Sequence, residues 1–275
     1  MKNFIEKLTW LPFHLNRIIS HKKSIVCVDV DGFKFKMKLI EDDSPYSLTS
    51  TLRSCGMREP RNVRNYIKFI DKNDIVLDVG ANVGFFTLLS RNAKKIIAIE
   101  PIKRCLGILE DNLKLNNINN VEIYNLALGD GKDVNFMEAE SLNQSRVVKG
   151  KGYKVKSKKL NYFVKKFKVN MIKIDVEGYE YEVFKKGIPK RVDKIMIEFH
   201  TDLLGKDKST KLLNLFEKEG FYVDKIIEDM PLRLYPFIRF WDYLSWEKKG
   251  LSYHEVRRLI GQGRGLKYLY LRRKK

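Results

Sequence analysis

Ile75-Val-Leu-Asp-Val-Gly-Ala-Asn-Val-Gly-Phe-Phe-Thr-Leu88 is the stretch of sequence that decides the fold. A short apolar run ends at Asp78, glycines follow at Gly80 and Gly84, and apolar residues then recur at helical spacing. This pattern predicts a buried strand that leads through a tight turn into a helix, the place where open α/β sheets bind nucleoside ligands. The two glycines allow dihedral angles and close backbone approaches that other residues do not.

The spacing of these glycines differs from the common phosphate-binding patterns. The spacing is Gly-x-x-x-Gly, which differs from the Gly-x-Gly-x-x-Gly turn. It also differs from the phosphate loop, because no lysine follows Gly84. Asp78 would repel a phosphate, so a cationic or hydroxyl-bearing ligand fits better, such as the amino-acid end of S-adenosylmethionine. One strand-helix-strand step later, Glu100 ends a second apolar strand, where an acid binds ribose hydroxyls in nucleotide-binding folds. The alternative is a doubly wound fold without a cofactor, whose strand ends merely carry acids.

Four segments of the chain resemble the FkbM-like family of S-adenosylmethionine-dependent methyltransferases. They are Asp78–Thr87, Ile99–Pro101, Asn125–Asp130 and Ile172–Glu180. The resemblance runs from about Glu59 to His200. Known members are mostly O-methyltransferases that act on hydroxyls of sugars, glycans or secondary metabolites, so the resemblance implies that reaction class without choosing the acceptor.

Strands and helices alternate between residues 75 and 199, which predicts a mostly parallel sheet with helices on both faces. Strands at 221–227 and 232–240 are expected to add a terminal antiparallel hairpin. The predicted fold is therefore α/β, the Rossmann-like class I methyltransferase fold. We expect three regions: an N-terminal helix and β-hairpin extension at 1–58, the methyltransferase domain at 59–240, and a basic, aromatic C-terminal extension at 241–275.

Ligands in open α/β sheets lie beyond the carboxyl ends of the strands, so the residues that follow each predicted strand are the candidate site residues. We expect the turn after the first strand to hold the methionine part of the cofactor, and the ends of the next two strands to hold the ribose and the adenine. The expected cofactor-binding residues are Asp78, Gly80, Ala81, Asn82, Gly84, Glu100, Pro101, Asn125 and Ala127.

The ends of the last two parallel strands carry the candidate catalytic residues. An alcohol is a poor nucleophile and benefits from a general base. His200 is the first candidate because histidine titrates near neutrality, and Asp175 is the second, able to orient the acceptor or to pair with His200. Glu177 places a further carboxylate in this region, and carboxylates that lie close together can raise the pKa of one of them. A structural, hydrogen-bonded His200 is the alternative. The oxygen-rich set of Asp175, Glu177 and Glu198, the last at the end of the fifth parallel strand, would suit Mg²⁺, but no metal site is expected because no ligand spacing is defined.

Composition leaves the acceptor open. The net charge of +20 favours a polyanionic partner, such as RNA, an acidic glycan or an anionic membrane surface, or reflects only a solvated lysine-rich surface. An RNA methyltransferase is therefore the main alternative, and a binding protein without turnover is the third possibility. Three cysteines without metal spacing, and no recognisable signal peptide or apolar span, favour a cytoplasmic protein, with peripheral contact at the inner membrane surface left open.

Overall fold

The computed structural model describes residues 24–40, 47–139, 145–148, 150, 152–228, 246–262 and 267–274. The predicted N-terminal amphipathic helix and the predicted strand at 232–240 lie outside these residues. The strands are β1 Ile25–Val30, β2 Phe33–Lys38, β3 Ile75–Val79, β4 Lys95–Ile99, β5 Val121–Tyr124, β6 Ala127–Leu128, β7 Val134–Met137, β8 Arg146–Val148, β9 Tyr153–Val155, β10 Ser157–Lys158, β11 Met171–Ile174, β12 Lys194–Glu198, β13 Phe221–Glu228, β14 Trp246–Lys249 and β15 Lys267–Arg273. The helices are α1 Leu48–Cys55, α2 Pro60–Phe69, α3 Phe85–Leu89, α4 Lys103–Leu115, α5 Leu160–Phe167, α6 Glu180–Phe184, α7 Thr201–Lys218 and α8 Tyr253–Gln262.

The main sheet of the described residues has eight strands in the order β14-β13-β15-β12-β11-β3-β4-β5. The five strands from β12 to β5 are mutually parallel, and β15 runs antiparallel to both of its neighbours. The chain leaves β3 towards β4 and β5 and later returns to the other side of β3 with β11. The strand order therefore reverses between β3 and β11, the position at which sheets of this kind bind ligands.

Each face of the sheet builds its own hydrophobic core, because alternate residues of a strand point to opposite faces. Val76, Ile96 and Met171 pack with the β1–β2 hairpin and helices α2 to α4. Leu77 and Ile172 pack on the other face with helices α5 to α8. The predicted mostly parallel sheet with helices on both faces is confirmed.

The C-terminal strand is the main difference from the sequence-based expectation. Residues 241–275 were predicted to form a basic, aromatic extension, yet β15 lies inside the sheet between β12 and β13. Tyr268 and Tyr270 are fully buried, and the Tyr270 hydroxyl donates to the Asn62 side-chain oxygen at 2.6 Å. These tyrosines therefore serve the core and are not available to stack bases or sugar rings. None of the described helices combines the length and the apolar character needed to cross a bilayer.

The Leu271→Ala variant tests the inner position of β15. Leu271 is fully buried, so the truncation should lower the free energy of unfolding by about 2–5 kcal/mol. Ile25→Ala removes comparable volume from a side chain that is 46% exposed and should cost less than about 1 kcal/mol. Denaturant unfolding of both variants measures the difference. Equal small losses would contradict the inner position of the strand.

Candidate active site

A cleft with about 750 Å³ of empty volume, part of it open to solvent, lies at the carboxyl ends of β3, β4, β11 and β12. Strand ends and the loops that follow them form its polar wall, and the segments after β4 and β5 form an apolar one. The lining residues are Arg58, Val79, Gly80, Asn82, Ile99, Glu100, Pro101, Ile102, Leu126, Ala127, Leu128, Phe136, Ser145, Val147, Asp175, Val176, Glu177, Tyr179 and Glu198.

The glycine turn after β3 brings that strand into direct contact with the loop after β11. The N–H groups of Gly80 and Ala81 both donate to the Ile99 carbonyl at 3.0 Å, and Gly80 has a φ of +75°. A Cβ atom on Gly80 would lie 1.8 Å from the Asp175 carbonyl oxygen. The two loops can therefore close on each other only because this position carries no side chain.

Asp78 does not line the cleft, although the sequence placed it beside the ligand. Its fully buried carboxylate accepts a hydrogen bond from Thr87 Oγ1 at 2.6 Å and pairs with Lys173 Nζ at 3.2 Å. Lys173 Nζ also donates to the Gly80 carbonyl at 3.0 Å. A buried carboxylate needs such a compensating cation. Asp78 therefore supports the glycine turn from beneath.

Glu100 lies at the end of β4 and faces the cleft with a nearly buried carboxylate. It accepts hydrogen bonds from the N–H groups of Asn82 and Ile102, both at 2.8 Å. Burial raises the pKa of Glu100 to about 7, against the effect of these two hydrogen bonds. Asn125 does not line the cleft, but its side chain donates to the carbonyls of Glu100 and Pro101 and so holds the loop after β4.

The wall next to Glu100 is apolar and was largely missed by the sequence analysis. β6 pairs with β10, which fixes Ala127 and Leu128 at this edge of the cleft. The adjoining side chains are Ile102, Leu126, Phe136 and Val147, and of these Phe136 and Val147 come from segments that show no motif. Of this wall, the sequence had identified Pro101 and Ala127.

Four carboxylates surround the imidazole of His200. Its Nδ1 lies 2.7 Å from Glu180 Oε1. Its Nε2 lies 3.4 Å from Glu177 Oε2, 3.5 Å from Glu198 Oε1 and 3.7 Å from Asp175 Oδ1. The parallel order of β11 and β12 brings these residues together, because the loop after one strand lies beside the end of the other.

The carboxylates around His200 raise the pKa of its imidazole. Burial lowers its pKa, but the hydrogen bond to Glu180 and the charges of Glu198 and Glu177 outweigh that effect and raise the pKa well above 6.5. A raised pKa favours the protonated imidazole, which is less suited to accept a proton than the neutral one. Burial also raises the pKa of Glu177 to about 7 and that of Glu198 well above its usual value.

The structure brings seven of the expected residues together in the wall of the cleft: Gly80, Asn82, Glu100, Pro101, Ala127, Asp175 and Glu177. The others do not line it: Asp78, Ala81, Gly84, Asn125 and His200. Arg58, Tyr179 and Glu198 also line the cleft. Glu198 had a signal in the sequence as an acid at the end of a predicted strand, and Tyr179 lies in the family-like segment Ile172–Glu180, whereas Arg58 had none.

The strand order and the position of the cleft define the Rossmann-like fold of class I methyltransferases, as predicted. The family of the Methyltransferase FkbM domain matches residues 78–238, which is more than half of the chain. The chain belongs to this methyltransferase family.

Curated relatives match shorter parts of the chain. An uncharacterized protein of Methanocaldococcus jannaschii is 33% identical over 72 residues, 26% of this chain and 27% of that protein. The tRNA (guanine(37)-N(1))-methyltransferase Trm5b of the same organism is 40% identical over 52 residues, 19% of this chain and 16% of that protein. Methyltransferase 1 of Beauveria bassiana is 24% identical over 199 residues, 56% of this chain and 78% of that protein. The chain thus matches well under a third of the length of the first two.

Solved structures of methyltransferases also match the chain. The tRNA m1G37 methyltransferase of M. jannaschii has a TM-score of 0.46 and 18% identity, covering 92% of this chain and 58% of that chain. The precorrin-6y C5,15-methyltransferase of Geobacter metallireducens has a TM-score of 0.44 and 13% identity, covering 80% of this chain and 90% of that chain.

The Gly80→Ala variant tests the contact between the glycine turn and the Asp175 loop. The added methyl group meets a backbone oxygen and also has to adopt a positive φ, so the free energy of unfolding should fall by about 2–5 kcal/mol. Gly107→Ala is the matched control, because Gly107 lies in α4 with no atom within 4 Å of its added methyl group. That variant should be neutral or stabilising by up to about 1 kcal/mol. Thermal unfolding that leaves Gly80→Ala as stable as the wild type would contradict the contact.

Proposed function

We propose that the cleft binds S-adenosylmethionine and that the chain transfers its methyl group to a hydroxyl oxygen of a sugar, a glycan or a small metabolite. Membership of the methyltransferase family supports the reaction class. The observation that carries the proposal is the placement of acids at both ends of one cleft. Asp175 and Glu177 line one end, and Glu100 lies across the Gly80 turn at the other.

The cleft offers suitable partners for each part of the cofactor. A carboxylate has about four lone-pair sites, so Glu100 keeps acceptor positions for ribose hydroxyls beside its two backbone hydrogen bonds. The apolar wall with Ile102 and Phe136 suits the adenine ring. The carboxylates of Asp175 and Glu177 suit the positive sulfur, because opposite charges attract strongly where water is partly excluded.

When bound, S-adenosylmethionine supplies an activated methyl group on a positively charged sulfur. The residues of the chain then align the acceptor and remove its proton. We assign proton removal to Glu177, whose carboxylate lines the cleft and is held by His200 at 3.4 Å. Asp175 orients the acceptor hydroxyl, and His200 positions the acids. The hydroxyl proton passes to Glu177 while the new C–O bond forms and the C–S bond breaks.

Glu100 should make nucleoside affinity depend on pH. Its pKa of about 7 means that the carboxyl must lose a proton before it accepts ribose hydroxyls as an anion, so affinity falls as pH drops below 7. We expect S-adenosylhomocysteine, which has no sulfonium, to bind roughly tenfold more weakly at pH 6 than at pH 7.5. Glu100→Gln should bind more weakly at pH 7.5, with little change between the two values. Calorimetric titration measures both, and an unchanged slope in the variant would remove Glu100 from the ribose site.

Glu177→Gln should lose methyl transfer while keeping the cofactor. A missing general base lowers turnover by about 10²–10⁴-fold, whereas affinity for S-adenosylhomocysteine should stay within about threefold. Glu110→Gln, an exposed acid on α4, is the matched control. The assay follows tritium from labelled S-adenosylmethionine into glycan, small-molecule and RNA fractions of the source cells. Full turnover in Glu177→Gln would exclude it as the base, and label confined to RNA would overturn the acceptor class.

An RNA methyltransferase is the second candidate, and one observation favours it. Residues 141–174 contain eleven Lys and Arg residues and no acid. Part of this segment borders the cleft, since β10 pairs with β6, and Lys158 Nζ lies 4.1 Å from the exposed Tyr162 ring. Cations and aromatic rings together suit single-stranded RNA. The acids of the cleft argue against it, because they would repel a phosphate backbone.

The regions outside the recognised core are proposed to shape the acceptor side. Arg58, in the predicted N-terminal extension, lines the cleft and supports this role. We also propose that the protein works in the cytoplasm, with peripheral contact at an anionic membrane surface where lipid-linked sugars are built. The net charge of +20 supports that contact.

A further inference from the structure

Carboxylate oxygens converge on the Nε2 atom of His200 at distances that suit a shared cation better than hydrogen bonds. Oxygens of Glu198 and Asp175 lie 3.5 and 3.7 Å from Nε2, beyond good hydrogen-bond length. Two ligands that each lie about 2.1 Å from one metal ion, at a tetrahedral angle, are themselves about 3.4 Å apart. The ligand atoms of Asp175, Glu198 and His200 all lie within 4.8 Å of one another.

One carboxylate oxygen of the proposed ligands lacks the hydrogen bond that a buried oxygen normally has, and a second carboxylate is almost completely buried. Asp175 Oδ1, which lies 3.7 Å from Nε2, is buried and has no hydrogen-bond partner. The Glu198 side chain is only 7% exposed, and its Oε1 lies 3.5 Å from His200 Nε2. Burying a polar atom without a partner costs free energy, so a cation that binds Asp175 Oδ1 would remove a penalty that the fold otherwise carries.

The other ring nitrogen of His200 is already held in the way that metal-binding histidines are held. Glu180 is fully buried, and its Oε1 lies 2.7 Å from His200 Nδ1 while also accepting from the Gly178 N–H at 3.1 Å. A carboxylate on Nδ1 fixes the tautomer and leaves Nε2 directed at the two carboxylates. Glu180 is thus a positioning residue, and Nε2 is the nitrogen that an ion would bind by displacing its proton.

We propose that Asp175, Glu198 and His200 together bind one divalent cation of the Mn²⁺ or Zn²⁺ type. An imidazole nitrogen among the ligands favours such ions over Ca²⁺. Asp175 and Glu198 line the cleft, so the remaining coordination positions of the ion face the acceptor. A hydroxyl bound there loses its proton more readily, and Glu177 is adjacent to receive it. This catalytic use of the ion rests on the proposed function, whereas binding of the ion does not.

The test is titration of the EDTA-treated full chain with Mn²⁺, followed by calorimetry and by electron paramagnetic resonance. The wild type should bind one equivalent, and pulsed measurements should detect a coupled nitrogen from His200. Asp175→Asn and Glu198→Gln should each weaken Mn²⁺ binding at least about 100-fold, and Glu180→Gln about 10–100-fold. Asp207→Asn, an exposed acid on α7, should leave Mn²⁺ binding unchanged.

A wild-type protein that takes up no Mn²⁺ or Zn²⁺ at millimolar concentration would overturn the proposal, and so would Asp175→Asn and Glu198→Gln variants with wild-type affinity. The wild-type titration alone can refute the proposal, so the test stays valid even if a variant fails to fold. Titration of S-adenosylhomocysteine in EDTA separates this proposal from the proposed function. Nucleoside binding without Mn²⁺ uptake refutes only the ion site, and Mn²⁺ uptake without nucleoside binding refutes only the cofactor site.

Discussion

The buried ion pair between Asp78 and Lys173 is the constraint on which the rest of the site depends. These residues face each other on neighbouring parallel strands, almost completely shielded from solvent. Two buried charges are costly unless they are paired with good geometry, so each strand is held in register by the other. Lys173 also donates to the Gly80 carbonyl, which ties the pair to the glycine turn. The glycine turn then sets the position of the Asp175 loop and of the acids in the cleft.

The parallel core could be predicted from the sequence, whereas the last strand could not. Buried parallel strands are continuous apolar runs, and the run before Asp78 ends in a glycine turn that has few alternatives. The segment Lys267–Arg273 has cations at both ends and alternating Tyr and Leu between them, which also fits a basic tail. Its position between β12 and β13 depends on tertiary contacts with these two strands, and the sequence of the segment itself does not reveal them.

The candidate site shows the same division between local and tertiary information. Glu100, Asp175 and Glu177 were predictable because acids at the carboxyl ends of parallel strands must meet at one edge of the sheet. The behaviour of His200 was not predictable, because its charge depends on Glu180, which α6 brings next to Nδ1. Arg58 and Phe136 were missed because their segments carry no motif and reach the cleft only through folding.

A crystal structure of the protein with S-adenosylhomocysteine tests the central claim most directly. The account expects the ribose hydroxyls on the Glu100 carboxylate, the adenine against Ile102 and Phe136, and the homocysteine end near the Gly80 turn. Asp78 should remain paired with Lys173 beneath that turn, without contact to the ligand. A nucleoside bound outside this cleft, or an Asp78 carboxylate that leaves Lys173 to bind the amino-acid end, would contradict the account.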